Sequence, residues 1–238
     1  MTAFWRAAPF VFLILWSGGY GFAKLGLQHA EPMTLLALRY GLAVVVLVPL
    51  ALLLRPQWPV GARHWAAVAV TGFLIQGVYF GLAYLAMKQG MNAGTTAIIM
   101  ALQPALVAAA SPLIGGKRGG LLLWSGLGIG FCGVLLAVWS EGSLGPSPIG
   151  AALLALGALA GISGATLFEK ALGRKTDPVA GGLVQYAVGF TLVAPVAVAT
   201  ESLSIDWQPG LIVALVWLVL GNSLISISLY IAMIARGD

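Results

Sequence analysis

Three side-chain amides, Gln76, Gln103 and Asn222, stand near the middle of long apolar runs. A buried amide without a partner costs roughly 2–7 kcal/mol, so each of them must be satisfied. Two arrangements would do it. The amide can hydrogen-bond across to a neighbouring helix, or it can line a cavity that holds a polar solute. At helical spacing Gln76 shares a face with Tyr79, Phe80 and Ala83, and Gln103 with Thr96, Met100 and Val107. Asn222 lines up with Ser226 and Tyr230, and Trp16 lies deep in the first apolar run. These types suit binding better than reaction. Ser163 and Thr166 add hydroxyls, although such groups often bond the carbonyl of the preceding turn. Nothing resembles a catalytic set: there is no buried His pair, no Asp pair and no Gly-x-Ser-x-Gly, and Ser163 has no nearby His to act as its base. His29 and His64 fall in connecting segments, so no metal site and no cofactor is expected.

The runs that carry these residues read as membrane spans. Sixty per cent of the 238 residues are hydrophobic and eight per cent are charged, against about 25% charged in a soluble domain. The apolar runs are continuous, which suits helices crossing a core of about 30 Å rather than alternating barrel strands. Eight spans are expected, at 8–27, 33–54, 65–87, 94–115, 121–139, 149–169, 179–199 and 211–234. Each is expected to be an independent helix, because lipid offers the backbone no partner. The net charge of +5 is scattered between spans and does not indicate nucleic-acid binding. The one cysteine, Cys132, excludes an intrachain disulfide.

Lysine and arginine set the orientation. With the N-terminus in the cytoplasm, Arg6, Arg55, Arg63, Lys117, Arg118, Lys170, Arg174, Lys175 and Arg236 fall inside, and only Lys24, Arg39 and Lys88 toward the outside. Both termini are therefore expected in the cytoplasm. Trp5, Trp58, Trp65 and Trp207 fall at the interfaces, where aromatic belts form. Lys24 and Arg39 lie about one turn inside the outer interface and read as snorkelling anchors, as partners of Glu31, or as contacts for a substrate carboxylate.

The chain also repeats itself at a constant offset of 146 residues. Lys24 matches Lys170, Pro32 matches Pro178, Pro49 matches Pro195, Gln76 matches Asn222, Tyr84 matches Tyr230, and Ala86-Met87 matches Ala232-Met233. A repeat of five spans places its second copy upside down in the membrane, the inverted plan of secondary transporters. Residues 1–146 form the first copy and 147–238 the second, which stops after three spans of an expected five. The last two are expected to be missing from this sequence. Small-residue spacings, Gly126, Gly130 and Gly133 in span five and Gly157, Gly161 and Gly164 in span six, favour close helix packing.

These features resemble the EamA-type exporters of the drug/metabolite transporter superfamily. The resemblance runs through Trp16-Ser17-Gly18 with Tyr20, Pro32 with Leu38-Arg39-Tyr40, Tyr84 with Ala86, Gly90 to Thr95, and Leu102-Gln103-Pro104. Gly115-Gly116-Lys117 departs from it, where the family usually carries Gly-Glu. The aromatic load is similar to the aromatic amino-acid exporter branch, the YddG type. The resemblance implies an all-α polytopic membrane protein of inverted five-helix repeats, with eight of ten helices present. It also implies a non-enzymatic secondary transporter that exports small metabolites across the inner membrane by alternating access. Trp16, Tyr20, Gln76, Tyr79, Phe80, Thr96, Met100, Gln103, Ser163, Asn222 and Ser226 would meet the solute. Its partners would be that solute and the lipid bilayer, as a monomer or a dimer. The competing readings are a helper subunit or half-transporter inactive on its own, and an intramembrane enzyme.

Overall fold

The computed structural model describes residues 3–116, 120–142, 149–172, 176–226 and 229. Lys117, Arg118, Arg174, Lys175, Tyr230, Ala232, Met233 and Arg236, named above, lie outside the described residues.

The protein is all-helical: α1 Ala3–Gly26, α2 Pro32–Leu54, α3 Ala62–Gly72, α4 Phe80–Lys88, α5 Ala93–Met100, α6 Gln103–Ala110, α7 Leu121–Gly142, α8 Ile149–Leu172, α9 Pro178–Thr200 and α10 Pro209–Val216. Among the described residues two π-helical segments interrupt the series, Phe73–Tyr79 between α3 and α4, and Trp217–Ser226 after α10. Over the described residues each of the eight expected spans falls on helical segments, the eighth followed as far as Ser226. Six are long and apolar enough to cross a membrane among the described residues, and Phe10–Gly26 and Leu121–Gly133 are shorter apolar helices.

Three spans are not uninterrupted α-helices, against expectation. The third and eighth widen into π turns at their centres. The fourth breaks at Ala101 and Leu102 between α5 and α6. Pro104 explains that break: it has no N–H to offer the Met100 carbonyl, and its ring crowds it. Pro49 in α2 and Pro195 in α9 leave their helices continuous.

Helix bounds follow the same register as the sequence matches. α1 and α8 are each 24 residues long, α2 and α9 each 23, and within each pair the limits differ by 146 at both ends. Phe73–Tyr79 shifted by that offset falls inside Trp217–Ser226.

The chain divides into two packing units, Met1–Pro59 with Thr176–Asp238, and Val60–Lys175. In the first, α2 packs most extensively on α9, and α1 lies along α10 and the second π segment. One end of the α2–α9 pair is clasped by carboxylates. Glu201, after α9, accepts from the Met33 and Thr34 N–H groups at 2.8 Å each and from Thr34 Oγ1 at 2.7 Å. This satisfies backbone donors that the first turn of α2 leaves free. Glu31 in return accepts from the Ser202 N–H at 2.7 Å and from Ser202 Oγ at 2.9 Å. Beside them Ala30 pairs with Ile205 in an antiparallel bridge, and His29 Nδ1 lies 3.2 Å from Asp206 Oδ2.

In the second unit α8 is the hub. It packs on α3, the first π segment, α4, α5 and α6, while α7 lies on α5 and α6. Its glycines admit close approach. A Cβ on Gly161 would fall 2.8 Å from Val78 Cγ1 and 3.2 Å from the Tyr79 nitrogen. Gly164, Gly126 and Gly133 face open space.

Candidate functional site

Each unit places a buried polar centre on a π-helical segment. Such segments are rare and occur mostly as single-turn interruptions of α-helices, frequently at functional sites. In the first unit Asn222, Ser223 and Ser226 are all buried on the Trp217–Ser226 segment. Facing them from α2 is Arg39, only 1% exposed. Its Nη2 donates to Asn222 Oδ1 at 2.8 Å and to Ser223 Oγ at 3.1 Å, and its Nε donates to Ser223 Oγ at 3.2 Å. A guanidinium this deep is tolerated only with such bonds, since a charge leaves water at a cost of several kcal/mol. Asn222 then turns its Nδ2 to the Leu15 and Trp16 carbonyls of α1, at 3.4 Å each. Tyr186 of α9 donates its hydroxyl to the Ser223 carbonyl at 3.4 Å, and its ring lies 5.8 Å from that of Tyr40.

The snorkelling reading of Arg39 is therefore corrected. The side chain does not reach water; it ties α2 to the π segment of the eighth span. Neither Ser223 nor Tyr186 is among the site residues expected from the sequence. The signal for Ser223 was its place beside Asn222 opposite a membrane arginine. Tyr186 carries the signal of the sequence repeat, standing 146 positions after Tyr40.

Trp16 and Asn222 are thus brought together through the Trp16 backbone. The Trp16 ring stacks on Phe12 at 5.7 Å. Tyr20 is half-buried on the same helix. A Cβ on Gly19 would lie 2.6 Å from Asn222 Nδ2, so the amide fits against α1 only because position 19 has no side chain. Ser226 Oγ and Trp217 Nε1 are buried without a hydrogen-bond partner among the described residues.

In the second unit Gln76 and Tyr79 are both buried, 2% exposed, on the Phe73–Tyr79 segment. The Tyr79 ring lies 4.4 Å from Phe80, which meets Tyr84 edge-on at 6.2 Å. Gln103, on the first turn of α6, donates Nε2 to Thr166 Oγ1 at 3.0 Å. Thr166 Oγ1 in turn donates to the Ile162 carbonyl at 3.0 Å, the back-bond expected of a helical hydroxyl. Thr96 does the same with the Asn92 carbonyl at 2.9 Å. Met100 and Ser163 are buried, and Ser163 Oγ lacks a partner among the described residues. Of the expected site residues, Trp16, Tyr20, Asn222 and Ser226 belong to the first unit and the other seven to the second.

The chemistry available here is recognition. Neutral amides, hydroxyls and aromatic faces can hold a polar solute, and among the described residues no group of three or more His, Cys, Asp or Glu could hold a metal ion.

Polar centres buried on interrupted apolar helices define a multi-pass membrane protein of the transporter class. The model of the EamA-like transporter family matches residues 5–139, more than half of the chain. The protein belongs to that family and is a membrane transporter of its type. It is 27% identical over 227 residues to the uncharacterized inner membrane transporter YedA of Escherichia coli strain K12, covering 95% of this chain and 73% of the relative. The YedA proteins of strains O6:H1 and O157:H7 match to the same extent. No solved structure matches it with significance.

Proposed function

We propose that the protein exports small amphipathic metabolites, amino acids and aromatic ones among them, across the inner membrane. The mechanism is alternating access of two inverted sequence halves, residues 1–146 and 147–238, with both termini in the cytoplasm. The observation that carries this reading is the pair of π-helical segments, each holding a buried amide, Gln76 or Asn222, at the same repeat register. Buried amides on interrupted helices fit the transporter plan, in which irregular backbone is tolerated where it lines a cavity. The broken fourth span beside Gln103 has the same character. Trp16, Tyr20, Tyr79, Phe80, Thr96, Met100, Ser163 and Ser226 complete the proposed solute contacts. The relatives matched are named as inner membrane transporters, which agrees with the location.

Efflux tests the proposal. Cells expressing the protein are preloaded in turn with labelled aromatic amino acids, threonine and a cationic dye. Amino-acid efflux is expected to rise above that of empty-vector cells and to fall back in Gln76→Leu at unchanged protein level. No efflux of any solute from protein correctly placed in the membrane would overturn it.

A further inference from the structure

The end of α2 next to Arg55 carries a groove lined by none of the buried amides. Val48, Ala51, Leu52 and Leu183 line a groove of about 570 Å³ together with Arg55, Pro56 and Trp58. Its walls belong to membrane-spanning helices, and Arg55 is the residue immediately after α2. From Val48 to Arg55 the groove follows about 10 Å of helix at about 1.5 Å per residue. It therefore runs from the membrane interface into the hydrocarbon layer. Trp58 stands where an indole is at home, between acyl chains and headgroups.

Arg55 is unusual in its backbone. It caps α2 at φ 49° and ψ 58°, its N–H bonded to the Ala51 carbonyl at 2.9 Å. This left-handed conformation favours glycine, and Gly115 takes it after the fourth span at φ 80° and ψ 10°. At position 55 an arginine bears the strain instead, and its exposed side chain lies beside an apolar groove that no acidic residue lines. Among the described residues it has no ion pair. The groove at the other end of the α2–α9 pair, against Leu38, Phe190 and Leu203, is lined by no charged residue at all.

We propose that the Arg55 groove binds one anionic phospholipid, its phosphate on the guanidinium and an acyl chain along Val48, Leu52 and Leu183. The charge complementarity selects the headgroup, and the apolar walls require that the phosphate arrive with a hydrocarbon tail. The site is independent of the solute carried.

Native mass spectrometry of the detergent-solubilised protein tests this. Phosphatidylglycerol is titrated against phosphatidylcholine, with glycerol phosphate as a tail-less competitor. Phosphatidylglycerol should bind roughly fivefold more tightly, the worth of one cation near an anionic lipid surface. Arg55→Gln should abolish that preference, and glycerol phosphate should not compete. Arg55→Gly relieves the backbone, so it should lose the preference while its melting temperature rises or holds. Equal binding of the two lipids, a preference that survives in Arg55→Gln, or displacement by glycerol phosphate would overturn the proposal.

Discussion

Arg39 and Asn222, 183 positions apart, share a 2.8 Å hydrogen bond that joins the second span to the π segment of the eighth. The two ends of this bond are not equivalent. Removing the arginine leaves neutral groups short of a donor; removing the asparagine leaves a buried cation short of an acceptor.

Asn222→Leu is therefore expected to destabilise more than Arg39→Met, by about 1–3 kcal/mol or above, since an unsatisfied charge costs more than an unsatisfied neutral group. The double variant should lie closer to wild type than the sum of the two. Thermal unfolding of the four proteins in detergent completes the cycle. Strict additivity would mean that the bond carries no coupling.

Gln103→Leu should be mild. Thr166 keeps its bond to the Ile162 carbonyl when the amide goes, so no hydroxyl is stranded. The loss should be near the average for hydrogen bonds between membrane helices, about 0.6 kcal/mol. The same unfolding assay measures it. A far larger loss would place a second duty on the Gln103 side chain.

Gly161→Ala and Gly164→Ala form a matched pair one turn apart on α8. The first puts a methyl group 2.8 Å from Val78 Cγ1, and the second meets nothing within 4 Å. Overpacking should cost Gly161→Ala about 1–3 kcal/mol, while Gly164→Ala should be neutral or stabilising. Their melting temperatures should separate accordingly.

Orientation is read by labelling. In a Cys132→Ser background, a cysteine at Ser204 should react with an impermeant maleimide in intact cells, and one at Gln57 only after permeabilisation. Both positions are exposed. The reverse pattern would turn the topology over.

Much of this architecture was legible in composition alone. Continuous apolar runs separated by Pro, Gly and charge locate helices, and lipid leaves few alternatives. Chemistry was less legible, for a geometric reason. The stripes drawn through Gln76 and Asn222 assume 3.6 residues per turn, and both residues sit where the helix widens. Past such a widening every later side chain is rotated from its α-helical phase. That is how Ser223, one position off the assumed stripe, comes to accept from Arg39. Hydropathy likewise marks where a span lies but carries nothing about which long side chain finds a buried partner. So the sequence leaves Arg39 open between water, Glu31 and a solute, and gives no sign that Glu201 caps α2.

The carboxylate clasp bears on how the molecule can move. Glu201 holds the start of α2, and Glu31 holds the segment that follows α9. Two rods tied together at one tip can scissor or splay only from the other, so that end is a fulcrum and the Arg55 end has the longer throw.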